Sequence, residues 1–252
     1  PVHRMSRTHV TARTIKGDTT SHWLNHHCKG GLRTPCVIFV DELWLHEYNP
    51  LARLHAFSLL PNVCFICTGD ELQLDAIGNL HGATEIPFEA LGQSDMLKIM
   101  CPNWIELVEN KRSDPVIHAF VTKCRTKRKA DLLDEARATF TFNGEPDVHL
   151  VLSNHKRRRI NTERNLLTSP PDVKVLNAND STIYLHVGLK LQGCIPQKSH
   201  GICNGILYEV TRLDDDTMTV KDEQGEYRVS YEFAKKAFRL AFARTIFSVQ
   251  SQ

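Results

Sequence analysis

The chain has 252 residues, 41% hydrophobic and 24% charged, a balance that suits one large or two compact folded domains and excludes disordered and fibrous classes. Its formal charge of +2 is too small to indicate a nucleic-acid partner by itself. No apolar run approaches the roughly 20 residues of a membrane span, and the first residues hold no secretory pattern, so neither a membrane partner nor secretion is expected.

The eight cysteines, Cys28, Cys36, Cys64, Cys67, Cys101, Cys124, Cys194 and Cys203, are scattered without a paired framework, which points to reduced thiols and an intracellular setting. Cys64 and Cys67 form a lone CxxC inside an apolar run, where a strand turns them to opposite faces; His26, His27 and Cys28 are adjacent and point apart. No structural zinc is expected from either group.

In chain order, the first informative segment is Cys36 to Val40, an apolar run too short for a helix, without alternation, that stops abruptly at Asp41 and Glu42. Such a run reads as a parallel strand covered on both faces. Leu51 to Leu60 carries apolar residues at near-helical spacing, and Val63 to Cys67 is a second unbroken run that ends at Thr68-Gly69-Asp70. Strand, helix, strand implies a right-handed βαβ unit with acids at the C-terminal ends of neighbouring strands, where open α/β sheets bind ligands. Residues 78–93 read as loop, Trp104 to Val108 as a strand, Lys111 to Leu133 as mainly helical, Val148 to Ser153 as a strand and Arg157 to Leu167 as the helix after it. From Gly205 to Tyr231 the pattern changes to short runs, Ile206–Val210, Met218–Val220 and Tyr227–Val229, separated by turn residues, as in a small β-barrel or meander. Tyr231 to Leu240 is helix-capable. Two basic clusters, Lys123 with Arg125 and Lys127 to Lys129, and Lys156 to Arg159, suit either solvated faces or phosphate contacts.

Asp41 and Glu42 have a chemical use as a pair: one carboxylate can hold Mg²⁺ through water while its neighbour activates an attacking water. Gln73, three residues past Asp70, adds an amide able to sense a γ-phosphate. With VIFVDE closing one strand and CTGDELQL the next, the chain resembles the superfamily 1 DNA helicases of the Pif/RecD/Dda-like, 5′-to-3′ type. The likeness extends in order along the chain. Thr8 to Ala12 resembles the T-x-x-A-A segment, and Ile15 to Trp23 the G-x-T-x-H element, both of which touch single-stranded DNA. Leu107 to Arg112 resembles L-x-x-N-x-R, and Leu152 to Asn154 with Arg159 to Asn161 a strand and helix on the DNA backbone. Cys203 to Gly205 resembles the V-x-N-G turn before an SH3-like barrel, and Ala243 to Gln250 the A-x-T-I-H-K-S-Q motif.

The resemblance implies an α/β fold of two P-loop NTPase (RecA-like) domains with parallel sheets and a small SH3-like β-barrel insertion, laid out as 1–104, 105–205, 206–231 and 232–252. It implies ATP and Mg²⁺ as cofactors, single-stranded DNA and duplex junctions as partners, a monomer, and work in DNA replication, repair or recombination. By residue, Asp41 would hold Mg²⁺ through water, Glu42 would activate water, and Asp41, Asp70, Gln73 and Arg112 would face ATP. Thr8, His22, Trp23, Asn154, Asn161, Asn204, Thr245 and Gln250 would face DNA. The chain departs from the pattern at Phe247 and Ser248, where the family has histidine and lysine, and contains no GxxxxGK[ST] loop to cradle phosphates. It is therefore expected to be a piece of such a helicase, without that loop and without the family's final arginine motif; the alternative is a decayed copy that binds DNA without hydrolysing ATP. A P-loop ATPase acting on protein is the remaining rival, disfavoured by the ordered DNA-facing segments.

Overall fold

A computed structural model describes residues 1–73, 76, 79–124, 129–141, 144–195 and 200–249. They fall into two compact units, one built from Pro1–Met100 with Asp147–Gln252, the other from Cys101–Pro146.

In the larger unit, β1 (Val2–Ser6), α1 (His9–Thr14), β2 (Asp18–Thr19), α2 (Thr20–Gly30), β3 (Cys36–Asp41), α3 (Tyr48–Ser58) and β4 (Val63–Cys67) form an α/β layer. Its four strands lie in the order β2–β1–β3–β4, and every pair is parallel. The unbroken apolar run predicted for β3 arises because β1 and β4 flank it and helices cover it: Cys36, Ile38 and Val40 are buried on one face, and the alternate residues are half-covered on the other. α2 and α3 supply Trp23, Leu24, Leu51 and Leu54 to the core beneath. β4 pairs with β3 as predicted, Cys36 opposite Val63 through Val40 opposite Cys67. It is the outer strand of this sheet, and Cys64 and Ile66 are exposed. A two-residue hairpin, β5 (Leu80–His81) with β6 (Thr84–Glu85), and two short helices, α4 (Phe88–Gly92) and α5 (Asp95–Met100), complete this part.

The smaller unit carries α6 (Pro115–Cys124) and α7 (Lys129–Thr139). α6 starts at a proline, as first helical positions favour, and the Asp114 carboxylate accepts from the amides of Val116 (2.8 Å) and Ile117 (3.4 Å). Phe120 meets Phe140 edge-on with centroids 5.1 Å apart, and Lys123 pairs with Glu135. The strand expected at Trp104 to Val108 is not formed. These residues lie in irregular chain with Ile105, Leu107 and Val108 more than 80% exposed, and the unit offers no described strand to receive their hydrogen bonds.

Back in the larger unit, β7 (His149–Val151) pairs in parallel with the late strand β15 (Ala243–Thr245), and α8 (Asn154–Thr168) packs on them. Ser153 caps α8 by accepting from Lys156 N at 3.2 Å. A hairpin of β8 (Lys174–Asn177) and β9 (Thr182–Leu185) leads to β10 (Lys190–Gly193), β11 (Leu207–Leu213), β12 (Thr217–Asp222) and β13 (Gly225–Ser230). After α9 (Tyr231–Ala237), β14 (Phe238–Leu240) returns to close an antiparallel sheet in the order β13–β12–β11–β10–β14. The three runs predicted between 206 and 231 are thus strands. The predicted helix stops at Ala237 because Phe238 and Leu240 alternate into the core and pair with β10. This sheet encloses a core with Leu185, Leu191, Tyr208, Val210, Met218, Val220 and Phe238 at its centre. A last turn, α10 (Ile246–Val249), follows β15. Among the described residues, no helix is long and apolar enough to cross a membrane.

Candidate functional site

The C-terminal ends of β3 and β4 are tied into one rim. Thr68 N donates to Val40 O at 2.9 Å, and Leu43 N donates to Thr68 O at 2.8 Å. The Thr68 hydroxyl donates to Asp41 Oδ1 at 2.6 Å, a contact that fixes the carboxylate and that sequence reasoning missed, although Thr68 sits directly between the second apolar run and Gly69-Asp70. Just past β3, Glu42 adopts φ 54°, ψ 54°, a left-handed conformation that a non-glycine residue holds only where its surroundings impose it. It caps a 3-10 turn over Leu43–Leu45 whose Leu43 and Trp44 are buried. A β-carbon at Gly69 would stand 3.0 Å from Trp44 and 3.2 Å from the Leu43 amide, so glycine lets the second strand's exit pass close to this turn. The Asp70 carboxylate accepts from Leu72 N at 3.0 Å and its carbonyl from Gln73 N at 3.2 Å, a compact turn that leaves Gln73 exposed.

Two buried networks support this rim from below, and neither had a signal in the sequence. In the first, His46, fully buried, brings Nδ1 to 3.1 Å from both Glu42 O and Leu43 O, and Nε2 to 2.7 Å from Thr20 Oγ1. Two carbonyls can only accept, so Nδ1 carries the proton and Nε2 accepts from the Thr20 hydroxyl. Burial pushes the His46 pKa down to about 4 despite the carbonyl hydrogen bonds, so the ring is neutral at physiological pH. In the second network, Ser6 Oγ donates to Asp41 O at 3.2 Å and lies 2.6 Å from Thr11 Oγ1, which lies 2.8 Å from Thr8 Oγ1. With the Ser6 proton directed at Asp41, the consistent order runs Thr8 to Thr11 to Ser6 to Asp41. Arg7 adds an ion pair to Glu47 at 2.6 Å.

The residues predicted to face DNA divide by placement. Thr8 caps α1, accepting from Thr11 N. His22 on α2 is 73% exposed in its side chain and stands 3.9 Å from Asp18. Its neighbour Trp23 is 2% exposed and packs on His27 and Phe57, with no face free for a base. Asn154 is exposed, and its Oδ1 accepts from Arg157 Nε at 3.1 Å. Asn161 is buried and stitches β14 to β15, donating to Leu240 O and Ala243 O and accepting from Ala243 N at 2.6 Å. Asn204 is exposed, Thr245 half-buried at the end of β15, and Gln250 lies outside the described residues. Arg112 is exposed in the smaller unit.

Two buried arginines, Arg157 and Arg244, lie close in sequence to Asn154 and Thr245. Arg157 makes a two-pronged pair with Asp180 at 2.7 and 2.8 Å, and Arg158 adds a third contact. Burial alone would raise the Asp180 pKa, but the hydrogen bonds and charges of these arginines outweigh it and hold the carboxyl below its usual range. Arg244, 3% exposed, donates to Ser248 O at 2.9 Å, and burial followed by the charge of Arg239 pushes its pKa down to about 10.

No protein-family model matches the chain, and no curated protein matches it in sequence. Solved structures do match it in fold. A structure of two coordinating Pif1 helicases unwinding forked double-stranded DNA superposes with a TM-score of 0.71 at 16% identity, covering 99% of this chain and 72% of that one. The Bacteroides Pif1 helicase in complex with ADP-AlF3 and single-stranded DNA superposes at 0.68 and 16% identity, and Bacteroides Pif1 bound to single-stranded DNA at 0.65 and 14%; each covers 99% of this chain and 74% of the neighbour. The chain has the fold of these helicases.

Proposed function

We propose that this chain, which carries the fold of the Pif1 helicases over nearly its whole length, supplies the Mg-ATP carboxylates and the single-stranded-DNA contacts of an ATP-dependent DNA helicase motor. The observation that carries the reading is the position of Asp41 and Asp70 at the exits of two hydrogen-bonded parallel strands, with Glu42 next to Asp41 on a strained turn. The domain scheme retained for it is two RecA-like domains, 1–104 and 105–205 with 232–252, and an SH3-like barrel at 206–231.

The residues fit water-mediated Mg²⁺. Asp41 accepts from Thr68 at one carboxylate oxygen and would offer the other to a water of the ion's shell. When bound, Mg²⁺ supplies charge neutralisation at the phosphate oxygens. Glu42 would orient and deprotonate the attacking water, and Gln73 and Arg112 would sense the γ-phosphate. Thr8, His22, Asn154, Asn204 and Thr245 would contact the strand. Trp23 and Asn161, being buried, would hold these segments in place.

A second reading, DNA binding without turnover, has its own support in the absence of GxxxxGK[ST] from these 252 residues. Lacking that backbone cradle and its lysine, the 252-residue chain is expected to hydrolyse ATP at background rate even with DNA, since removing a single oxyanion donor already costs about 3 kcal/mol of transition-state stabilisation. DNA-stimulated turnover by these residues alone would overturn that expectation. The deciding measurement, on a version of the chain that carries the phosphate-binding loop, is fluorescence anisotropy of a labelled single strand, with and without Mg²⁺ and a non-hydrolysable ATP analogue. A nucleotide-dependent affinity that Glu42→Gln preserves supports the motor, an affinity blind to nucleotide supports the second reading, and no affinity sinks both.

A further inference from the structure

We infer that His46 is a positioning residue for Glu42, and that its bond to Thr20 links the helix carrying His22 to the Glu42 turn. The inference rests on the reading of Glu42 as the water-activating carboxylate, and it adds a residue and a connection that no motif of that reading contains.

The geometry is specific. A left-handed glutamate is costly, and something must hold it there. From outside the sheet, the Leu43 amide is fixed to Thr68 O. From inside, His46 Nδ1–H reaches the carbonyls of Glu42 and Leu43 at 3.1 Å each, closing the turn on itself. The ring has no freedom to choose another arrangement, because it is fully buried and its remaining nitrogen is engaged by Thr20 Oγ1 at 2.7 Å. Thr20 is the first residue of α2, 1% exposed, and two positions before the exposed His22. A shift of the α2 N-terminus is therefore felt at Nε2, and through one rigid aromatic ring at the carbonyl of Glu42.

Thr20→Val removes the hydroxyl at nearly constant volume, and Thr20→Ser keeps it. Amide hydrogen exchange at Leu43, Leu45 and His46, whose N–H groups are bonded within or across the turn, reports the clamp directly. In Thr20→Val, exchange at these three amides is expected to rise about tenfold, a local opening that leaves Ile38 and Val40 in β3 unchanged. In the wild type and Thr20→Ser, saturating oligothymidylate is expected to slow exchange at the same three amides by about fivefold; Thr20→Val, saturated with the same strand, is expected to show no such slowing. If the strand binds all three proteins and the protection is the same in each, or if Thr20→Val exchanges faster everywhere alike, His46 is only a core residue and the inference falls while the helicase reading stands. Failure of the wild type to bind the strand at all overturns the reading beneath it, and the inference with it.

Discussion

At the scale of single residues, the two unusual features of the rim are a strained glutamate and a buried neutral histidine. Glycine adopts left-handed backbone freely, so Glu42→Gly exchanges strain of about 1 kcal/mol against a similar gain in unfolded-state freedom. Its stability in urea should lie within about 1 kcal/mol of wild type, whereas the β-branched Glu42→Val should lose on the order of 2 kcal/mol; equal stabilities would mean that the turn carries no strain. For His46, the folded pKa of about 4 lies below the ordinary value of 6.5, so between those values the unfolded chain binds more protons than the folded one. Stability then rises with pH across that window and is lost on acidification, by roughly 3 kcal/mol between pH 6.5 and 4. Urea titrations at pH 7 and pH 4.5 should show this fall in wild type and a smaller one in His46→Gln. The positions of Asp41, Glu42 and Asp70 at or just past the ends of two paired parallel strands were legible from sequence because both apolar runs stop at them. His46 was not, since its partners are carbonyls and a threonine hydroxyl that only the fold brings within reach.

At the scale of elements, legibility followed whether an element's pattern or its neighbours decide its state. β3 and β4 were readable because continuous apolar runs of five residues are too short for helices and suit paired strands, although only β3 is covered on both faces while β4 leaves Cys64 and Ile66 exposed; β11 to β13 were readable because turn residues punctuate them. Trp104 to Val108 has a strand's composition, but a strand exists only by pairing, and no partner strand is described in its unit. Phe238 to Leu240 continued a helical pattern and was claimed by β10. Asn161 shows the same contest within one side chain: the sequence placed it on a DNA-facing helix, and the fold spends all its bonding on β14 and β15. Asn161→Ala leaves a buried amide and two buried carbonyls to find new partners, and should cost roughly 2–4 kcal/mol in urea unfolding. A fall in single-strand affinity at unchanged stability would instead return Asn161 to the DNA surface.

At the scale of the molecule, one ion pair joins the parallel layer to the antiparallel sheet. Both terminal nitrogens of Arg13 on α1 reach Asp222 Oδ2 at 2.9 Å, and Asp222, its side chain 3% exposed, also accepts from the Gln224 and Gly225 amides. Removing the arginine strands a buried carboxylate, so Arg13→Met should cost about 3 kcal/mol, with Arg13→Met/Asp222→Asn recovering part of it; additive losses in a double-mutant cycle would show that the pair does not couple the two layers. The pair also joins residues 209 positions apart. At synthesis rates of about 5–20 residues per second, α1 waits on the order of ten to forty seconds after emerging from the ribosome before its carboxylate partner is made. During that interval the parallel layer stands without its antiparallel neighbour, while residues 101–146 are translated in between. Nascent chains arrested at increasing lengths should therefore gain protease resistance in the first hundred residues only once β12 and β13 have cleared the tunnel.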